Sequence, residues 1–176
     1  YLELPVIACA IDRMMEIYAK ENGKDHFEIN MPDMNQKRII PLHQDFNEIK
    51  RGDFLKIALK VLQKKNIVPN KGYHLTISSK IPINAGLSSS SALTISWIQF
   101  LIAAFSERST SPKELALLAY ETEVIESGSS GGKMDQFTIA IGDTIFLDTN
   151  TDQVQKFNDL KLDLVVGVSG LSKDTF

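Results

Sequence analysis

The chain has 176 residues, 43% of them hydrophobic and 23% charged, with a net charge of −3. That is the profile of one ordinary soluble domain with length enough for a substantial core. Mild acidity without a basic stripe argues against nucleic acid as the main partner. The absence of a signal peptide or an apolar run of spanning length argues against a membrane partner. One cysteine, Cys9, excludes an internal disulfide and suits a reducing, cytoplasmic setting.

The first element, "LPVIACAI" at 4–11, reads as a continuous apolar strand with Cys9 as a packed core thiol. "MMEIYAKENGKDHFEINM" at 14–31 predicts two strands joined as a hairpin at Asn22-Gly23, a dipeptide suited to positive φ. "KRIIPL" at 37–42 is a short strand that Pro41 assigns to an edge. In "DFLKIALKVLQKKN" the apolar residues Phe54, Leu55, Ile57, Ala58, Val61 and Leu62 recur at helical spacing.

"YHLTISSKIPI" alternates as a half-buried strand, and "ALTISWIQFLIAAF" is apolar almost all round, as a buried helix is. "SPKELALLAYETEVIES" opens with Ser111 as N-cap, Pro112 at the first helical position and Glu114 three residues after the cap. "GSSGG" at 128–132 breaks the chain into a loop. "KMDQFTIAIG" is a short helix or turn ending at Gly142, and "TIFLD" and "LDLVVGV" are strands. Strands gathered around a few helices predict an α+β sandwich.

Between the strand and the apolar helix stands "KIPINAGLSSSSAL", 80–93. Serine neither fills a core nor favours a helix interior, and the flanks are too apolar for a flexible linker. A turn through Ala85 and Gly86 into a helix whose first turn is serine leaves backbone N–H groups without intrahelical partners. With the helix dipole these form a cradle for an anion, most naturally a phosphate. No G-x-x-x-x-G-K-[ST] or G-x-G-x-x-G motif occurs, and G-L-S-S-S lacks the second glycine of a nucleophile elbow.

Pro82 to Ala92, P-I-N-A-G-L-S-S-S-S-A, closely resembles the second motif of the GHMP kinases. "GGKMDQF", Gly131 to Phe137, is similar to the galactokinase branch, in which a glutamate lies twelve positions before the aspartate, as Glu123 does before Asp135. The resemblance implies an α+β GHMP kinase N-terminal domain over 1–165, short of its first strands, with a mixed sheet packed by helices and the phosphate-binding helix N-terminus after the serine loop. It implies that 166–176 begins a C-terminal domain otherwise missing from the chain. Tyr1 would close the family's first motif, whose arginine and acidic residues would precede it.

The same resemblance implies roles residue by residue. ATP phosphates would rest on Gly86, Leu87, Ser88, Ser89, Ser90 and Ser91; Ser90 and Glu123 would hold Mg2+; Asp135 would take or orient the proton of a sugar's anomeric hydroxyl; Gly132 would let the sugar lie close to the backbone. The partner expected is thus a small-molecule sugar, and the reaction its phosphorylation at the 1-position. Another GHMP kinase, acting on a uronic acid or a small alcohol, and a non-catalytic sugar and ATP sensor are the alternatives. Helical spacing places Glu126, not Glu123, nearer the apolar stripe of its helix. Lys133 departs from the branch, which carries an apolar residue there; it would act on Asp135, contact an acidic sugar, or face solvent.

Overall fold

The computed structural model describes residues 4–46, 48–82, 85–158, 160 and 162–167. The chain begins with strands β1 (Val6–Cys9), β2 (Met15–Glu21), β3 (His26–Met31) and β4 (Gln36–Pro41). Helix α1 (Phe54–Lys64), strand β5 (Tyr73–Ser79) and helices α2 (Ser89–Phe105) and α3 (Pro112–Tyr120) follow. A π-helical turn, Glu121–Glu126, continues α3; α4 (Met134–Ile141), β6 (Thr144–Asp148) and β7 (Gln153–Phe157) complete the series. This is the expected α+β architecture, with the strands in two sheets of order β1-β6-β7 and β2-β5-β3-β4.

Local signals set most of these elements. Asp53 caps α1, accepting from Lys56 N, and is itself held by Arg38 Nη2 at 2.7 Å. Ser111 accepts from Glu114 N at 3.2 Å with Pro112 opening α3, as the capping pattern predicts. β4 is an edge strand ending at Pro41, where a missing N–H costs no ladder bond.

The predicted hairpin at Asn22-Gly23 does not form. β5 lies between the two strands, antiparallel to β2 (Glu21 opposite Tyr73) and parallel to β3 (Ile29 opposite Leu75). The closure of the turn and one distant glycine account for this. Asn22 Oδ1 accepts from Lys24 N and Asn22 Nδ2 donates to His26 O, so the turn closes on its own side chain rather than on a two-residue ladder. Gly72 then fits inside it, exchanging backbone bonds with Asn22 and Lys24. A Cβ on Gly72 would stand 2.3 Å from His26 O, so only glycine lets β5 enter here.

The larger core lies between one face of the four-stranded sheet and α1 and α2. Phe27, Ile29, Leu75 and Ile77 face Leu55, Leu62, Trp97, Ile98 and Leu101. Trp97 is fully buried, and its Nε1 donates to Leu55 O at 3.0 Å. A smaller core of Ala116, Phe137, Ile145 and Leu147 joins α3 and α4 to the three-stranded sheet.

Three expectations change. β1 is an edge strand with Ile7 exposed and Cys9 half-buried, not a core segment, because it is covered on one face only. "LDLVVGV" is unpaired over 162–167, with Val165 99% exposed. β7 is the strand that sequence reading missed; it lies at the sheet edge and half-buries only Val154 and Phe157, too little alternation to see. Tyr1 and 168–176, with most of the expected second-domain start, lie outside the described residues, as do Ile83 and Asn84 of the serine motif.

Candidate active site

The serine loop turns through Gly86, whose φ of 74° favours glycine and where an added Cβ would meet no heavy atom within 4 Å. Leu87 is half-buried beside it. Ser88 takes the left-handed φ of 53° as N-cap of α2, and its carbonyl accepts from Ala92 N at 3.0 Å. The Ser88 side chain makes no capping bond, and the amides of the first turn, Ser89 to Ser91, have no intrahelical acceptor.

The four serines then diverge. Ser88 and Ser89 are half-buried, Ser90 is exposed, and Ser91 is buried. Ser91 Oγ donates to Glu123 Oε2 at 2.7 Å. Thr94, one turn further on the same face of α2, has its hydroxyl 2.9 Å from Glu123 Oε1 and 3.0 Å from Ser90 O. Gln136 Nε2 donates to Glu123 Oε2 from α4. Glu123, 6% exposed, thus ties α2, the π-turn and α4 together.

The π-turn explains why helical spacing favoured the wrong glutamate. Its i→i+5 rings are wider than those of an α-helix, so each residue advances less around the axis and the faces drift from the α-helical wheel. Glu123 turns inward. Glu126 emerges on the far side, paired with Lys60 at 2.8 Å and with Lys64. Burial pushes the Glu123 carboxyl above its usual pKa; the donors Gln136, Ser91 and Thr94 pull the other way, and the nearby Asp135 charge adds to the rise.

Asp135 sits half-buried in the first turn of α4, with no hydrogen-bond partner among the described residues. Gly132 is exposed just before it, in the "GSSGG" loop. Lys133 pairs with neither Asp135 nor solvent alone: its side chain is half-buried, with Nζ 2.6 Å from Asp152 Oδ1 and 5.6 Å from the centre of the Tyr120 ring. Of the residues expected at the site, Ser91 and Glu123 touch directly, while Asp135 joins them through its neighbour Gln136. Ser90 has no such bond to Glu123. Thr94 and Gln136 were missed, although a threonine on the buried stripe of an apolar helix is a readable sign of a buried polar partner.

The family model described as the GHMP kinases N terminal domain matches residues 53–143, the span that holds α1, the serine loop, the π-turn and α4. The chain belongs to the GHMP kinases. Mevalonate kinase from Methanocaldococcus jannaschii is 36% identical over 126 residues, covering 66% of this chain and 39% of that protein. Galactokinase from Clostridium perfringens is 38% identical over 102 residues, 56% of this chain and 26% of its own length. A crystal structure of the Methanococcus jannaschii mevalonate kinase superposes with a TM-score of 0.75 at 28% identity, over 89% of this chain and 50% of that one. This GHMP kinase chain therefore spans about half the length, or less, of the proteins it matches.

The donor set suits a hard cation. Glu123, Ser91 and Thr94 offer oxygen only, and the Gln136 Oε1 beside them is buried with no hydrogen-bond partner among the described residues. No group of three or more His, Cys, Asp or Glu side chains that could hold a metal occurs among the described residues. One carboxylate with hydroxyls is what Mg2+ uses when phosphates and water supply its other ligands. Among the described residues no helix is long and apolar enough to cross a membrane.

Proposed function

We propose that the protein containing this chain moves the γ-phosphate of ATP to a hydroxyl of a small molecule, and that a sugar's anomeric hydroxyl is the acceptor. One observation carries the reading: the chain of contacts Ser91–Glu123–Gln136 links the amide-bearing start of α2 to the turn that carries Asp135. Phosphoryl transfer asks a protein to hold donor and acceptor in line and to stabilise charge on the moving group.

The amides from Gly86 to Ser91 would bind the phosphates, and Ser90, in the same first turn, is exposed. Glu123, with Ser90 or Ser91, would hold Mg2+, which when bound offsets phosphate charge. Asp135, free of any hydrogen bond among the described residues, is available to orient or accept the acceptor's proton. Gly132 would border the sugar. M-D-Q-F supports the sugar reading; the mevalonate kinase relatives favour a second, a small-alcohol acceptor.

The test is an assay of the full-length protein with ATP and Mg2+ against aldoses, uronic acids and mevalonate, with the product phosphate located by phosphorus NMR. Phosphate on the anomeric oxygen supports the sugar reading and transfer to mevalonate the second. Tight ATP and sugar binding without turnover would make the protein a sensor.

A further inference from the structure

Lys133 is the N-cap residue of α4: its carbonyl accepts from Phe137 N at 3.1 Å, and among the described residues no side chain caps that end. A helix of eight residues is marginal by itself, and a cation beside its N-terminus opposes the helix dipole. A lysine at this position needs a compensating partner. It has one in the turn between β6 and β7, where Asp152 Oδ1 lies 2.6 Å from Nζ and Thr149 O 3.4 Å. The Tyr120 ring at the end of α3 covers the ammonium at 5.6 Å.

The turn is itself held from several sides. Lys113 Nζ donates to Asp152 O at 2.7 Å, Thr149 Oγ1 donates to Leu4 O, and Asp148 Oδ1 accepts from Asn150 N and Thr151 N. Lys133 and Asp152 are each only about one-fifth exposed. The ammonium of Lys133, two residues before Asp135, is therefore engaged by a hydrogen-bonded hairpin turn.

We propose that Lys133 is a positioning residue: by clasping Asp152 in the β6–β7 turn it fixes the first turn of α4 and so the aim of the Asp135 carboxylate. This rests on the kinase reading above for the role of Asp135, and it gives Lys133 no contact with the acceptor.

The experiment compares Lys133→Met, Lys133→Arg, Asp152→Asn and the Lys133→Met/Asp152→Asn double variant in the full-length protein, by kinetics on neutral and acidic acceptors and by amide hydrogen exchange. The Met and Asn variants are expected to speed exchange by roughly tenfold at Phe137, whose amide bonds to Lys133 O, and at Asn150 and Thr151, whose amides bond to Asp148, the double variant adding little to either. They should lower kcat by about tenfold or more with acceptor KM nearly unchanged, and Lys133→Arg should restore most of it. A raised KM confined to acidic acceptors with kcat intact would make Lys133 a substrate contact and overturn the proposal. Unchanged exchange in both single variants would overturn it as well. If the unsubstituted protein turns over nothing, the kinase reading fails, and the exchange data still decide whether the clasp exists.

Discussion

Ser91 Oγ donates a 2.7 Å hydrogen bond to Glu123 Oε2 across 32 residues of sequence, joining the first turn of α2 to the π-turn. Its neighbour Ser90 is exposed and makes no such bond. The two serines should therefore respond differently to the same change. Ser91→Ala removes a donor from a buried carboxylate and should cost about 1–3 kcal/mol of stability. Ser90→Ala should stay within about 0.5 kcal/mol while raising the Mg2+ requirement for nucleotide binding. Urea denaturation and a Mg2+ titration of both variants measure this, and equal stabilities would show that the Ser91 bond contributes nothing.

Glu123→Gln places an amide where Ser91, Thr94 and Gln136 all present donors. The amide oxygen can keep Ser91 and Gln136 only if its NH2 turns to Thr94 Oγ1, which must then accept from it and donate to Ser90 O alone. With a charge-assisted set of bonds lost, a cost of about 1 kcal/mol or more is expected. Chemical denaturation at neutral pH reads it. A variant as stable as the parent would mean that the surrounding hydroxyls and amide reorient freely.

Glu123 and Glu126 should also give the stability curve two opposite slopes. Burial raises the Glu123 pKa, so the native state keeps that proton to a higher pH than the unfolded chain does. Between the ordinary carboxylate range and the raised native value, stability falls as pH rises. Lys60 and Lys64 lower the Glu126 pKa; its contribution is present above the ordinary range and lost as pH falls through the lowered value. Glu123→Gln should remove the first slope and Glu126→Gln the second, in denaturation series run from acid to neutral pH. Parallel curves for parent and variants would contradict both assignments.

Much of this was readable in advance, and the failures have specific causes. Ser111, Pro112 and Glu114 announce the start of α3 because capping is a contact among near neighbours. Asn22-Gly23 announces a turn for the same reason, but a turn does not name the strand that pairs beside it. That depended on Gly72, fifty residues on, whose missing side chain admits β5. Glu123 was reached through a motif and not through periodicity, since the helical wheel assumes a winding that the π-turn does not have. Gln136 stands next to Asp135 in the sequence, yet only the packing of α4 on α2 shows which carboxylate it serves.

Asp135→Asn in the full-length protein should lower turnover by ~10² to 10⁴-fold, the usual contribution of a general base. ATP affinity should hold, because Asp135 lies on α4 and not at the α2 start that would take the phosphates. Steady-state kinetics and nucleotide titration separate the two, and near-parental turnover would remove Asp135 from the mechanism.

Gly72→Ala should be among the most damaging single-methyl additions available. Its Cβ would meet His26 O, Lys24 O and Asn22 Oδ1, all at 2.6 Å or less, and two of the three are backbone. A loss of about 3 kcal/mol or more is expected, seen as a lowered denaturation midpoint. A midpoint unchanged from the parent would show that the 22–26 turn can yield.

The insertion of β5 also dictates an order of events during synthesis. When β2 and β3 have been made, each has an edge that only β5 will fill, and Glu21 waits for Tyr73, 52 residues later. Loop closure over that separation is slow, and open strand edges are templates for wrong pairing in the meantime. α1, wholly local and capped by Asp53, can form in that interval and offer its apolar face to β3. The nascent chain is thus most exposed to aggregation after Met31 leaves the ribosome and before Ser79 does, which is the window in which a chaperone would matter most.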